Sequence, residues 1–278
     1  DLQSLKKFNF LAVILDEAQF IKNPGAQVTL SVKQLRSKHR VALTGTPLEN
    51  RILDLWSIVD FLHKGYLGTQ SQFTDRYQGN EESPALQRVS RRRLAAKLRP
   101  ILIRRLKTQV AKDLPERIEE RRDSLPGKAQ KKLYLAELKR SKDQVNQVVS
   151  ENGINKSKIH VLAALTRLRQ ICCHPKLVGS DAVSGKTETF FELVEPLLDR
   201  GEKVLVFSQF VKMLEILDTE LKKREKTTYT LTGETKNRQD VVKAFQEDNN
   251  PSVFLLSLRA AGTGLNLTTA SYVVLYDP

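Results

Sequence analysis

Apolar and polar positions divide the chain into stretches with different periods. Residues 10–15, Phe-Leu-Ala-Val-Ile-Leu, are consecutively apolar and run straight into Asp16 and Glu17. An unbroken apolar run of strand length predicts a strand buried on both faces, as in the parallel sheets of α/β proteins. Residues 40–43, 203–207, 229–231, 253–256 and 272–276 have the same character. Nearly all end in small or polar residues: Thr44-Gly45-Thr46-Pro47, Ser208-Gln209, Thr232-Gly233-Glu234, Ser257 and Asp277. From residue 186 onward, strands alternate with helical repeats: Val211, Leu214, Leu217 and Leu221, then Val241, Val242 and Phe245. That alternation predicts βαβ units with right-handed crossovers. Residues 48–180 differ. Leu53, Leu55, Trp56, Val59 and Leu62 recur at helical spacing, as do apolar positions within 133–138 and 159–168, and Pro84, Pro100, Pro115 and Pro126 punctuate the stretch. The pattern predicts a helical region inserted between two α/β pieces, with no repeat at a solenoid period.

Composition narrows the picture. The chain has 278 residues, long enough for two domains with cores of their own. It carries 46 Lys and Arg against 32 Asp and Glu, a formal charge of +14, which favours a polyanionic partner, nucleic acid above all. A generic basic surface is the alternative. The charge is uneven. Nine basic residues fall between Arg88 and Lys107, among them Arg91, Arg92, Arg93, Arg104 and Arg105, and no acid occurs between Ser83 and Lys112. An acid-free basic stretch suits phosphate contacts, which give affinity without base readout; a solvated helix face is the competing account. No apolar run reaches the roughly 18 residues of a membrane span, and no signal-peptide pattern is present. The two cysteines, Cys172 and Cys173, are adjacent, which excludes a disulfide framework and fits a reducing compartment. Cys-Cys-His at 172–174 lacks a second ligand pair at zinc spacing, so a packed helix end before Pro175 is the expectation.

The strand ends carry the candidate chemistry, because parallel sheets place ligands at their carboxyl edge. Asp16 can hold Mg²⁺ on a nucleotide phosphate, and Glu17 can orient or deprotonate a water. An acidic surface turn would look the same over these ten residues. Gly262-Thr263-Gly264 could let a backbone approach a phosphate closely. Ser184-Gly185-Lys186-Thr187 invites comparison with a phosphate-binding loop, but the first glycine of that pattern would fall at Ser180, and the stretch precedes a helix instead of following a strand. Lys186 is expected to open the first helix of the second α/β piece.

Taken in order, Asp16-Glu17-Ala18-Gln19, Leu43-Thr44-Gly45-Thr46-Pro47-Leu48-Glu49-Asn50, the segment Val204-Leu205-Val206-Phe207-Ser208-Gln209-Phe210, and Gly262-Thr263-Gly264-Leu265-Asn266-Leu267-Thr268 resemble motifs II, III, IV and V of the superfamily 2 helicase-like ATPases. The form of the second and third blocks, with residues 101–115 and 168–177, resembles the Swi/Snf family across essentially the whole chain. The resemblance implies an α/β protein of two RecA-like parallel-sheet lobes, both truncated, joined by a helical insertion region. Residues 1–65 would be the end of the first lobe, 66–183 a helical protrusion and linker, and 184–278 the start of the second lobe. It implies an ATP-driven translocase on double-stranded DNA, using ATP and Mg²⁺ and closing its lobes without strand separation. A nucleosome or other DNA-bound protein would be a further partner, the molecule monomeric, and its place the nucleus in a eukaryote or the cytoplasm in a bacterium or archaeon. By position, Asp16 and Glu17 would serve metal and water. Gln19, Thr44, Gly45, Thr46, Ser208, Gln209, Gly262, Gly264 and Asn266 would line the nucleotide-coupling cleft, and Arg91, Arg92, Arg93, Arg104 and Arg105 the DNA. No complete phosphate-binding loop occurs, and the arginine-bearing motif VI would follow Pro278. The stretch is therefore expected to be an internal fragment, inactive alone in ATP hydrolysis and prone to associate through strand edges. An RNA helicase of the same superfamily would more often carry Asp-Glu-Ala-Asp and Ser-Ala-Thr; a non-catalytic nucleic-acid-binding module is the other rival.

Overall fold

The structure, a computed structural model, describes residues 1–45, 51–77, 84–262 and 265–277. The chain separates into two compact units, Asp1–Arg117 and Ile118–Pro278.

The first unit contains α1 (Leu2–Leu5), β1 (Asn9–Leu15), a 3₁₀ turn (Ala18–Ile21), α2 (Gln27–Lys33), β2 (Arg36–Ala42), α3 (Ile52–Leu62), α4 (Gln70–Tyr77), α5 (Pro84–Leu98) and α6 (Lys107–Val110). β1 and β2 pair in parallel, with Val13 opposite Arg40 and Leu15 opposite Ala42. Helix α3 is apolar on two sides and buries both. Ile58 and Phe61 cover the sheet with Ala18, Ile21, Val13, Leu15 and Ala42. Leu55, Trp56 and Val59 pack instead with Phe73 of α4 and with Leu94 and Leu98 of α5. Arg40 fastens β2 to α3, donating through Nη1 to the Phe61 carbonyl at 2.7 Å and stacking over the Phe61 ring.

The expectation that residues 10–15 are buried on both faces is not met. Val13 and Leu15 reach the α3 cluster, but Leu11 on the same face is 71% exposed and Ile14 on the opposite face 61%. Among the described residues β1 pairs with β2 alone, and on the second face Ala12 and Ile14 are exposed while only Phe10 is half-buried. An apolar run signals that polar side chains are absent; it does not count the layers that cover it.

The second unit contains α7 (Lys128–Cys173), a 3₁₀ turn (Pro175–Val178), α8 (Gly185–Asp199), β3 (Val204–Ser208), α9 (Val211–Lys223), β4 (Thr227–Leu231), α10 (Arg238–Glu247), β5 (Ser252–Ser257), α11 (Leu258–Ala261) and β6 (Tyr272–Leu275). α7 is two helices broken at Gly153, where φ is +74°, a conformation glycine adopts without a Cβ penalty. The halves fold back on each other: Glu137 pairs with Arg167 at 2.8 Å, and Gln130 donates to the Ile171 carbonyl at 2.8 Å. The four strands are parallel in the order β4-β5-β3-β6. Here the continuous apolar runs of the two central strands, β3 and β5, are buried on both faces, whereas β6 at the sheet edge leaves Val273 and Leu275 exposed; the alternation of side chains explains how the central strands are covered. Val204, Val206, Val253 and Leu255 meet Phe190, Phe191, Val194 and Leu198 of α8 and Met213, Leu214, Leu217 and Leu221 of α9. Leu205, Phe254 and Leu256 point the other way, to Phe245 of α10, Leu231 and Ala260. The result is a three-layer unit whose strand ends share one edge. No helix among the described residues is long and apolar enough to cross a membrane.

Candidate functional site

β1 and β2 deliver their following residues side by side. Past the strands the pairing continues: the Leu43 amide donates to the Leu15 carbonyl at 2.8 Å and the Ala18 amide to the Leu43 carbonyl at 2.9 Å. Asp16 and Glu17 thus lie next to Thr44. Glu17 is in the left-handed region, with φ +49° and ψ +50°. For a residue with a Cβ this conformation costs roughly 1–2 kcal/mol. The Glu17 amide donates to Asp16 Oδ1 at 2.8 Å, which offsets part of that cost. Both carboxylates are exposed.

Gln19 joins the two loops. Its Nε2 donates to Glu17 Oε2 at 2.5 Å, and its Oε1 accepts from the Thr44 hydroxyl at 2.7 Å. The three side chains form one donor chain, hydroxyl to amide to carboxylate, which fixes the carboxyl of Glu17 in an otherwise open position. Gly45 is exposed, and a Cβ there would meet nothing within 4 Å. Thr46, with the rest of the block to Asn50, lies outside the described residues, as does Gly264.

The donor set suits a nucleotide-borne Mg²⁺ better than a resident metal. The described residues hold no group of three or more His, Cys, Asp or Glu placed for an ion. Mg²⁺ is commonly bound by one or two carboxylates together with phosphate oxygens and water, and Asp16 keeps an exposed carboxylate for that role.

In the second unit Ser208 and Gln209 follow β3 at the carboxyl edge. Ser208 is buried and Gln209 exposed. Asp277, directly after β6, holds both. The Gln209 amide donates to its Oδ1 at 3.1 Å and Oδ2 at 3.2 Å, and the Ser208 hydroxyl lies 3.2 Å from Oδ2. Burial pushes the Asp277 carboxyl above the ordinary carboxylate range, against the opposing pull of these donors and of nearby Lys186. Sequence reasoning placed this residue at a strand end but gave it no role, although it obeys the rule that singled out Asp16: an acid at the carboxyl end of a parallel strand. Gly262 ends α11 with φ −67° and ψ 1°, a backbone open to any residue. The exposed Asn266 accepts at its carbonyl from Gln246 Nε2 at 2.9 Å.

The Ser184–Thr187 stretch is committed to packing. The Ser184 hydroxyl accepts from the Thr187 amide and lies 2.9 Å from the Cys173 carbonyl, the Gly185 amide donates to Gln130 Oε1, and Lys186 Nζ donates to the Tyr276 carbonyl at 3.2 Å. A Cβ on Gly185 would sit 2.1 Å from the Leu125 carbonyl oxygen. His174 is also used locally: its Nδ1 accepts from the Lys176 amide at 3.1 Å, capping the turn that follows α7.

Arg91, Arg92 and Arg93 lie exposed on α5, which is anchored by Leu94 and Leu98; Arg104 and Arg105 are exposed in the segment after it. None of the five has an ion pair among the described residues.

Residues 1–177 match the SNF2-related domain, and residues 185–278 match the helicase conserved C-terminal domain. The chain belongs to the SNF2-related domain family. A Mycoplasma pneumoniae protein named as an uncharacterized ATP-dependent helicase is 31% identical over 282 residues, covering 100% of this chain and 26% of the relative. The human SWI/SNF-related matrix-associated actin-dependent regulator of chromatin subfamily A member 1 is 33% identical over 288 residues, 98% of this chain and 27% of its own length. Among solved structures, the Sulfolobus solfataricus SWI2/SNF2 ATPase core in complex with dsDNA aligns with a TM-score of 0.52 at 35% identity, over 99% of this chain and 59% of that one. This SNF2 chain thus spans about a quarter of the length of these curated relatives, and the helicase-like resemblance of its motifs is matched by family, relatives and fold together.

Proposed function

We propose that this chain forms part of an ATP-driven translocase on double-stranded DNA, with its hydrolytic carboxylates at the end of β1. The donor chain Thr44–Gln19–Glu17 carries the proposal. It gives Glu17 a fixed orientation at an exposed sheet edge, and it links that carboxylate to the loop after β2. In this reading Asp16 holds Mg²⁺ on the nucleotide, and the ion neutralises phosphate charge. Glu17 orients the attacking water and accepts its proton. Gln19 keeps the Glu17 carboxyl aimed and relays any shift of Thr44 to it. Thr44, Gly45 and Thr46 couple nucleotide to DNA. Ser208, Gln209, Gly262, Gly264 and Asn266 serve the cleft from the second lobe. Arg91, Arg92, Arg93, Arg104 and Arg105 contact DNA phosphates; the double-stranded DNA held by the Sulfolobus core supports that choice of ligand. A nucleosome or other DNA-bound protein is the proposed target of the motion, and lobe closure without strand separation its means.

The test is Glu17→Gln in an ATP-hydrolysing protein that contains this chain. The amide keeps size and hydrogen bonding but cannot take a proton. DNA-stimulated hydrolysis should fall by roughly 10²-fold or more with nucleotide affinity retained. Near-normal turnover would refute the assignment.

A further inference from the structure

Asp277 is 6% exposed, and it holds a turn that passes from buried Ser208 to exposed Gln209. The Tyr276 amide donates to the Phe207 carbonyl at 3.0 Å, extending the β6–β3 pairing one step and delivering the next residue beside the turn after β3. There both carboxylate oxygens receive the Gln209 N–H, and Oδ2 also faces the Ser208 hydroxyl. Ser208 Oγ in turn accepts from the Phe210 amide at 3.0 Å. One buried carboxylate therefore sets three consecutive residues.

The support behind Asp277 is equally specific. Lys186 Nζ grips the Tyr276 carbonyl, and the Tyr276 hydroxyl lies 3.2 Å from the Cys173 carbonyl and 3.0 Å from Thr187 Oγ1. The network thus runs from the base of the α7 hairpin, through the start of α8, to the loop after β3.

We propose that Asp277 is a positioning residue of the second lobe: through the Gln209 amide and the Ser208 hydroxyl it fixes the loop that presents Gln209 at the carboxyl edge of the sheet. Its consequence for turnover rests on the function proposed above; its hold on the loop does not. The test compares amide hydrogen exchange in the whole chain, in Asp277→Ala and in Asp277→Asn. In the alanine variant the Gln209 and Phe210 amides should exchange about tenfold faster or more, while Val204–Ser208 keep their protection. The asparagine variant should recover part of the effect, because its carboxamide oxygen still accepts from Gln209 and its amide donates to Ser208 Oγ. Unchanged exchange in the alanine variant, or an even rise through β3 and β6, would overturn the proposal. In an ATP-hydrolysing protein containing the chain, Asp277→Ala should lower kcat more than it raises KM, with Asp277→Asn intermediate. A loosened loop with unaltered kcat would refute the positioning role. If Glu17→Gln leaves turnover near normal, the functional reading fails, and the exchange result still decides whether Asp277 holds the loop.

Discussion

Gly185→Ala separates a packing glycine from a phosphate-binding one. Two effects favour the alanine: glycine inside a helix is less favourable than alanine by about 1 kcal/mol, less at the first helical position, and alanine restricts the unfolded chain. One effect opposes it. The new Cβ would lie 2.1 Å from the Leu125 carbonyl oxygen and 3.1 Å from its carbon, so backbone must move by about an ångström. Neither side yields easily, because the Gly185 amide is tied to Gln130 Oε1 at 3.2 Å and the same Gln130 is tied to the Ile171 carbonyl. Overpacking of this kind costs about 1–3 kcal/mol, and loss of the Gly185–Gln130 hydrogen bond adds about 1 kcal/mol. The clash wins, with a net destabilisation of about 2 kcal/mol, which in a domain of this size lowers the unfolding midpoint by about 4–8 °C. Thermal unfolding of the whole chain followed by far-ultraviolet circular dichroism measures it. Gly233→Ala is the matched control, since a Cβ there meets nothing within 4 Å. A midpoint for Gly185→Ala equal to or above that control, or a lost nucleotide affinity with unchanged stability, would refute the packing argument.

Two further outcomes test other parts of the molecule. Replacing Arg91, Arg92 and Arg93 together with glutamine should weaken binding to all duplex sequences alike and flatten the salt dependence by up to about three, at about 0.9 per phosphate contact; an unaltered slope would make α5 a solvated face. Burial, with Asp277 nearby, pushes the Cys173 thiol from 9.0 up to about 12, so the fold favours its protonated form. The stability this contributes is complete below pH 9.0 and is lost as pH rises toward about 12, and Cys173→Ala should reduce that alkaline loss in urea titrations. At pH 8 an alkylating reagent should modify the exposed Cys172 and spare Cys173; equal labelling would contradict the buried placement.

The second unit was largely legible because its strands and helices carry unmixed periods. The runs at 203–207 and 253–256 became β3 and β5, each covered above and below. The stripe of Leu214, Leu217 and Leu221 became the buried face of α9. Residues 10–15 gave the strand but not its surroundings, because a run reports only its own side chains. The acids after it were visible as types in sequence. Their link through Gln19 to Thr44 was not, since it depends on parallel pairing between β1 and β2 and on the left-handed backbone at Glu17. Gln130 escaped notice, and Asp277 was seen only as a polar strand end, for a related reason. Each is an ordinary polar residue in one dimension, and only the distant carbonyls and amides it meets give it work.

The strand order of the second unit also constrains when it can form. β4 is the next strand after β3, but it pairs with β5; β3 finds its partners only in β5 and β6. A nascent chain that has emerged through β4 therefore has no two strands of this sheet able to zip together. The α7 hairpin, closed by contacts between neighbouring halves, can form early, while the sheet must wait for Ser252–Ser257. β5 is then the keystone that bridges β3 and β4, and until it leaves the ribosome the apolar faces of α8 and α9 have nothing complete to cover. A synthesis pause placed before residue 252 would hold the unit in its most aggregation-prone state, and one placed beyond β6 would leave these four strands free to pair.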